Sequence, residues 1–209
     1  MDYLKLKPDL SNLEEISEKI AFYLKKDKVG AIPTETFYGL AANPFSERAL
    51  KKLISFKKRP KNKPILLLIS NIEQLYSLVK EIPPVAEKLI EKFWPGPLTI
   101  VFPAKENLSS LLTSGTNTIG IRLSSSPIVK KIIEIFGNPV TGTSANISNK
   151  PPCKSAQEIL EQLKDLDFIL NGGHLETSAP STIVSVVDNN ISLIRIGAIS
   201  FKEILESFL

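Results

Sequence analysis

Histidine and cysteine are nearly missing from this chain: each occurs once in 209 residues, as His174 and Cys153. A lone cysteine excludes an intramolecular disulfide, and the pair is too sparse for a His/Cys metal cluster. It also leaves no Ser-His-Asp or Cys-His machinery unless His174 is the base. His174 follows two glycines in a loop, where a surface position is expected. No apolar run reaches the roughly 18 residues needed to cross a bilayer, so no membrane partner is expected. The opening MDYLKLKPDL has neither the basic nor the apolar stretch of an export signal. Together with the single thiol this leads to the expectation of a cytoplasmic protein in a reducing compartment. Internal repeats and low-complexity stretches are absent as well, and the whole span 1–209 reads as one domain.

What is present is an ordinary apolar fraction of 43%, enough for a packed core. The net charge is +4 and the pI about 9.0, a mild bias toward anionic partners such as nucleotides, phosphates or RNA. Helical and strand patterns alternate along the chain. Ser11 and Asn12 precede a helical face of Leu13, Ile16, Ile20 and Leu24. Residues 29–33 read as a buried strand, and a helix after Ser46 turns Leu50, Leu53 and Ile54 inward. Residues 64–69 form an apolar run of the kind buried on both faces. Helices are expected over 72–79, 84–93, 127–136 and 156–163, with a short one over 201–208. Strands are expected over 98–102 and 118–123, at Val140, and around Phe168, Thr182 and Ser192. The loop 171–180 reads as a flexible candidate. The pattern predicts an α/β (α+β) fold: an open twisted mixed sheet with helices on its faces.

Four segments carry more chemistry than a scaffold needs. Pro33-Thr34-Glu35-Thr36-Phe37-Tyr38-Gly39-Leu40 places two hydroxyls, a carboxylate and a glycine at a strand end, where ligands of open sheets bind. A hydroxyl-capped turn is the plain alternative. Lys57-Lys58-Arg59-Pro60-Lys61-Asn62-Lys63-Pro64 packs five cations into seven residues, and its prolines favour extended backbone. Such a loop suits a polyphosphate, with Arg as a fork and Lys as a point charge, or else is a solvated basic loop. Arg122 lies inside the apolar run Thr118-Ile119-Gly120-Ile121-Arg122-Leu123 and needs an anion if buried, either a protein carboxylate or a ligand carboxylate. Thr141-Gly142-Thr143-Ser144-Ala145-Asn146-Ile147-Ser148-Asn149 offers hydroxyls and backbone N–H groups to phosphate oxygens without a Walker pattern, or is a Ser/Asn-rich turn. Trp94-Pro95-Gly96-Pro97-Leu98-Thr99 reads as a structural corner, with Trp94 in the core and Gly96 supplying an unusual backbone angle. Arg195-Ile196-Gly197 ends a strand with a cation, either a surface charge or a phosphate contact.

Taken in order, segments 33–40, 57–60 with Pro64, 94–98, 120–122, 144–148, 181–184 and 195–197 resemble the YrdC/Sua5 family of threonylcarbamoyl-AMP synthases. The length resembles the short, single-domain branch of that family. The resemblance implies a YrdC-like fold with a basic concave cleft. It implies synthesis of threonylcarbamoyl-AMP and pyrophosphate from L-threonine, bicarbonate and ATP, with Mg²⁺ accompanying the ATP. The product would pass to partner proteins that build t6A in tRNA, and tRNA or double-stranded RNA is an implied further partner. By the same resemblance, Lys57, Arg59 and Lys63 neutralise the triphosphate. Ser144 and Asn146 bind nucleotide oxygens with help from Thr118 and Arg195. Lys57, Arg59, Ser144 and Asn146 form the catalytic group. Thr34, Thr36, the Gly142 backbone and Ser181 line the threonine pocket, and Arg122 holds the threonine carboxylate. Adenylyl transfer asks mainly for positioning and charge neutralisation, which fits a chain without an obvious nucleophile.

Departures from the family pattern are Leu68 where long members carry histidine, Asn149 for glycine, Pro152 for a serine, and Asn171-Gly172-Gly173 for Asp-Gly-Gly. Asn149 tolerates a left-handed backbone, so its turn is expected to survive. Two other readings stand beside the enzyme: an RNA-binding module of the same fold, and a paralogue acting on another substrate. The first lacks an interleaved aromatic and basic stripe. The second is opposed by the joint presence of Thr34, Lys57, Arg59, Ser144 and Asn146.

Overall fold

The computed structural model describes residues 1–58, 60, 63–177 and 179–208. In chain order its elements are β1 (Asp2–Lys5), α1 (Leu13–Lys25), β2 (Gly30–Ile32), β3 (Gly39–Ala41), α2 (Glu47–Lys57), β4 (Leu67–Ile69), α3 (Glu73–Leu78), α4 (Pro84–Phe93), β5 (Leu98–Pro103), α5 (Ser110–Thr113), β6 (Thr118–Leu123), α6 (Pro127–Phe136), β7 (Val140–Thr141), β8 (Thr143–Ser144), α7 (Ala156–Gln162), β9 (Phe168–Asn171), β10 (Thr182–Ser185), β11 (Ser192–Arg195) and α8 (Phe201–Glu206).

In α2 and α6, apolar spacing and a capping hydroxyl coincide. Ser46 accepts from the Ala49 N–H at 3.2 Å and opens α2, which buries Leu50 and Leu53. Ser126 accepts from the Val129 N–H and Pro127 takes the first turn of α6, where its missing N–H costs nothing. Gly137, at φ +79°, ends that helix in the left-handed region. The buried face of α6 (Val129, Ile132, Ile133, Phe136) packs with Ile16, Ile20 and Leu24 of α1 in one core cluster. Each such side chain, fully buried, contributes about 2 kcal/mol of transfer free energy. Asn12 makes no cap bond to α1; its side-chain oxygen instead accepts from the Lys7 N–H and fixes the turn before the helix.

The mixed strands and flanking helices are of the expected class, and they divide between two sheets. The first runs β1-β9-β2-β3-β8, with β1, β9 and β2 parallel and β3 antiparallel to both its neighbours. The second runs β11-β10-β5-β6-β4-β7, parallel at β10–β5 and β6–β4 and antiparallel elsewhere. The strand read at Val140 is where the division occurs. β7 belongs to the second sheet, β8 to the first, and Gly142 alone separates them. The crossing is tight: the Gly142 N–H donates to Leu66 O at 2.9 Å, and a Cβ on Gly142 would lie 2.5 Å from Leu68 Cγ. Thr141 fastens it further, donating through its hydroxyl to Leu40 O and accepting from the Ala42 N–H.

Two local expectations change. Gly96 adopts no left-handed φ; it is glycine because a Cβ would lie 2.6 Å from Phe93 O. Trp94 next to it is 8% exposed and donates from Nε1 to Leu98 O at 2.7 Å, which suits its corner role. The first half of loop 171–180 is tethered. Tyr38 donates its hydroxyl to Gly173 O at 2.7 Å and accepts from the Gly172 N–H at 3.0 Å. The Leu175 N–H donates to Lys154 O. Asn149 does take a left-handed backbone, at φ +69°, and His174 is exposed.

Candidate functional site

Beside the crossing at Gly142, a cavity of about 660 Å³ opens, with walls from both sheets. That volume lies in the range of roughly 300–1,000 Å³ typical of small-molecule sites. Lys57, Lys63, Arg122, Lys150 and Arg195 line it, and no described Asp or Glu does. Thr34, Thr36, Thr118, Gly142, Ser144, Asn146 and Ser181 line it too. Chain segments far apart in sequence thus converge on one basic concavity. Arg59 lies outside the described residues.

One wall is the loop after β8, and Lys57 holds it in shape. The Lys57 ammonium is 3% exposed and donates to Ser144 O at 2.6 Å, Asn146 Oδ1 at 2.7 Å and Asn146 O at 3.1 Å. Lys57 O in turn accepts from the Ser148 N–H at 2.8 Å. Within the loop, Ser144 Oγ donates to Asn146 Oδ1 at 2.6 Å, and the Asn146 amide donates to Ile147 O and Lys150 O. The charge expected to meet phosphate directly is therefore also a clamp on the hydroxyl-rich loop. A charged donor satisfying carbonyls contributes more than a neutral one, because each bond is charge-assisted.

The opposite wall is built on Arg122, in the middle of β6 and 3% exposed. Both alternatives posed by the sequence bear on it. Its Nε lies 3.2 Å from Glu35 Oε1, an ion pair whose N–H is not aimed well enough to count as a hydrogen bond. Its Nη1 donates to Thr36 Oγ1 at 3.1 Å, and no described protein group accepts from Nη2. Burial pulls the guanidinium below its ordinary pKa, and the Glu35 charge counters the shift.

Proton bookkeeping gives this wall a direction. Thr34 spends its one hydroxyl hydrogen on Phe37 O at 2.7 Å and accepts from the Thr36 N–H. Across the 3.2 Å contact between the two threonine hydroxyls, Thr36 must then be the donor. Donation runs from Arg122 to Thr36 to Thr34 to the Phe37 carbonyl. The wall thus offers the cavity a guanidinium edge next to a hydroxyl oxygen with a lone pair to spare. Such a pair suits a carboxylate beside an amine or hydroxyl.

Ser181 and Thr99 share a hydroxyl contact of 2.9 Å on the third side. Arg195 lies over them, donating from Nη2 to Ser181 O at 2.8 Å and to Ser181 Oγ at 3.1 Å. Partial burial first, and repulsion from Arg122 second, pull the Arg195 guanidinium below its usual pKa. Pro152, Pro180, Ile183 and Ile194 give this end of the cavity an apolar lining. Gly197 lets the chain pass against it, since a Cβ there would lie 2.2 Å from Pro180 O.

The sequence does not single out Lys150, Thr99 as a site residue, or Pro180, Ile183 and Ile194 of the apolar end, nor the ion pair that Glu35 makes. Lys150 directly follows the hydroxyl-rich loop, and charge next to such a loop was the available signal. Leu68 is fully buried against Gly142, which places it behind the cavity wall. Among the described residues no helix is long and apolar enough to cross a membrane.

Residues 23–197 match the Sua5/YciO/YrdC family model, described as telomere recombination. A threonylcarbamoyl-AMP synthase of Pyrococcus abyssi is 38% identical over 92% of the chain, and one of Bacillus subtilis 34% over 97%. The chain spans 57% and 59% of the length of those two relatives. Among solved structures, Pyrococcus abyssi Sua5 complexed with L-threonine superposes with a TM-score of 0.91 at 34% identity, covering 99% of this chain and 60% of that one.

Proposed function

From the premise that the chain belongs to the Sua5/YciO/YrdC family, we propose that it is a threonylcarbamoyl-AMP synthase. It joins L-threonine, bicarbonate and ATP into threonylcarbamoyl-AMP and pyrophosphate, and hands the product to proteins that build t6A in tRNA. The observation that carries the reading is the cavity in which the Arg122–Thr36 donor–acceptor pair faces the loop clamped by Lys57.

In this reading the threonine carboxylate takes the open edge of Arg122, and its polar substituents meet Thr36. The triphosphate lies along the 144–150 loop, near Lys63, Lys150 and Arg195. The carbamate formed from threonine and bicarbonate attacks the α-phosphorus, and pyrophosphate leaves. The protein contributes fixed cations and hydroxyls around the developing charge. Mg²⁺ enters as part of the Mg–ATP substrate and is held by phosphate oxygens. Glu35, the carboxylate behind the wall, is committed to Arg122 and Ser124, which fits a metal carried by the phosphates.

The test is pyrophosphate release from purified protein with Mg–ATP and bicarbonate, with and without each amino acid. Threonine-dependent release is expected. Equal release with every amino acid, or none with threonine, refutes the assignment. Arg122, only 3% exposed, favours a small anionic substrate over the RNA-binding module, because a phosphate backbone does not reach so buried a cation.

A further inference from the structure

Glu35 does not line the cavity, yet both its oxygens are committed to residues that shape it. Oε1 faces Arg122 Nε at 3.2 Å, and Oε2 accepts from Ser124 Oγ at 2.6 Å. The side chain is 13% exposed and Arg122 3%. Ser124 Oγ accepts in turn from the Ser126 N–H at 3.2 Å, and Ser126 caps α6. A continuous polar chain therefore runs from the N-terminus of α6 through Ser124 and Glu35 to Arg122, and on to Thr36 and the cavity.

From this geometry we infer that Glu35 is a positioning residue: its carboxylate fixes the rotation of the Arg122 guanidinium so that the edge carrying Nη2 faces the amino-acid substrate. The inference rests on the proposed function for the identity of that substrate. A guanidinium has one plane and three edges. With Nε against Glu35 and Nη1 on Thr36, two directions are spent, and only the third is left for a ligand. Without Glu35 the arginine keeps its charge but loses the partner that sets its plane, and Nε is left buried without a counter-charge. A misplacement of about 1 Å in such a binding group costs up to roughly a hundredfold in rate or affinity. Glu35 also balances the charge of Arg122, which Arg195 repels.

Glu35→Gln is the discriminating variant, because it keeps the length and an oxygen for Ser124 while removing the charge. The expected result is a threonine KM raised about tenfold or more, an unchanged ATP KM, and a melting temperature below that of the parent, because the Arg122 charge stays buried without its partner. Ser124→Ala, which frees only Oε2, is expected to raise the threonine KM a few-fold in the same direction, and serves if Glu35→Gln folds poorly. Glu35→Asp, which keeps the charge, is expected to recover part of the loss. The second readout needs no substrate. The Arg122 side-chain Nε–H resonance in a ¹H–¹⁵N spectrum is expected to be sharp and slow to exchange in the parent, and broad or fast to exchange in Glu35→Gln. A threonine KM that is unchanged or lowered, or a resonance the same in both proteins, overturns the inference. Failure of the functional reading shows separately, as a parent protein that releases no pyrophosphate with threonine whatever the resonance does.

Discussion

Lys57 and Arg122 are both cations buried to 3% exposure in one cavity, and they solve the cost of burial in different ways. Arg122 has a carboxylate beside it, while the contacts described for Lys57 include carbonyl and amide oxygens of a loop. Removing each should therefore fail differently. Lys57→Ala strips the donors from Ser144 O and Asn146, so it is expected to lower unfolding free energy by about 2–3 kcal/mol in urea titration and to raise the ATP KM about tenfold. Arg122→Ala removes the charged donor proposed for the threonine carboxylate and is expected to raise the threonine KM by roughly 10- to 100-fold with the ATP KM little changed. Full activity in either variant contradicts its assignment. The residue types were legible in the sequence, because cations and hydroxyls in unusual places are visible there. The clamp was not, because Lys57 and Ser144 are 87 positions apart and only folding sets which way the ammonium turns. Cys153 adds a pH effect. Burial chiefly, and the nearby Glu158, push its thiol up from 9.0 to about 12. The folded chain keeps a proton that the unfolded chain releases, so the contribution is whole below about pH 9 and declines as pH rises from there toward 12. Cys153→Ala is expected to flatten that part of the stability–pH profile; a parallel profile contradicts it.

Among elements, the crossing between β7 and β8 leaves little room. Gly142→Ala puts a methyl 2.5 Å from Leu68 Cγ and 2.8 Å from Leu66 Cδ1. Leu66 and Leu68, or the backbone at the crossing, must shift, and a cost of about 1–3 kcal/mol is expected from crowding of this kind. The loop that carries Ser144 and Asn146 moves with it, so activity should fall further than stability accounts for. Urea titration and turnover on the same samples check both parts, and an Ala variant with parental stability excludes the crowding argument. Sequence periodicity located α1 by its apolar spacing, and α2, α4 and α6 because such spacing coincides with a hydroxyl or proline start. It did not locate β1 or β3. β1 has one buried residue, Leu4, and pairs in parallel with β9, more than 160 residues away in the chain. β3 is three residues of a segment whose hydroxyls and glycine look like a turn, and its strand character comes from pairing with β2 and β8.

At the scale of the whole molecule, the division into two sheets places cations from α2, β6, β11 and the connecting loops around one space without a described carboxylate in its lining. The class of fold could be read from alternating patterns. The division could not, since the short strands on either side of Gly142 look like one strand until each finds its partner. Such a cavity is held open against mutual repulsion, and an anionic ligand relieves it. Mg–ATP at a hundredfold excess over its Kd is expected to add about 2.7 kcal/mol to stability by mass action. For a chain of this size that is a rise in Tm of roughly 5–10 °C. Because the cations converge, the rise should shrink in Lys57→Ala and as salt screens the more exposed Lys150 and Arg195. Threonine, proposed to bind chiefly at the buried Arg122, should show less salt dependence than ATP. Thermal melting across a salt series with each ligand separates the two. Equal salt sensitivity for both, or no shift with ATP at any salt, would mean that the cations do not act on a single bound substrate pair.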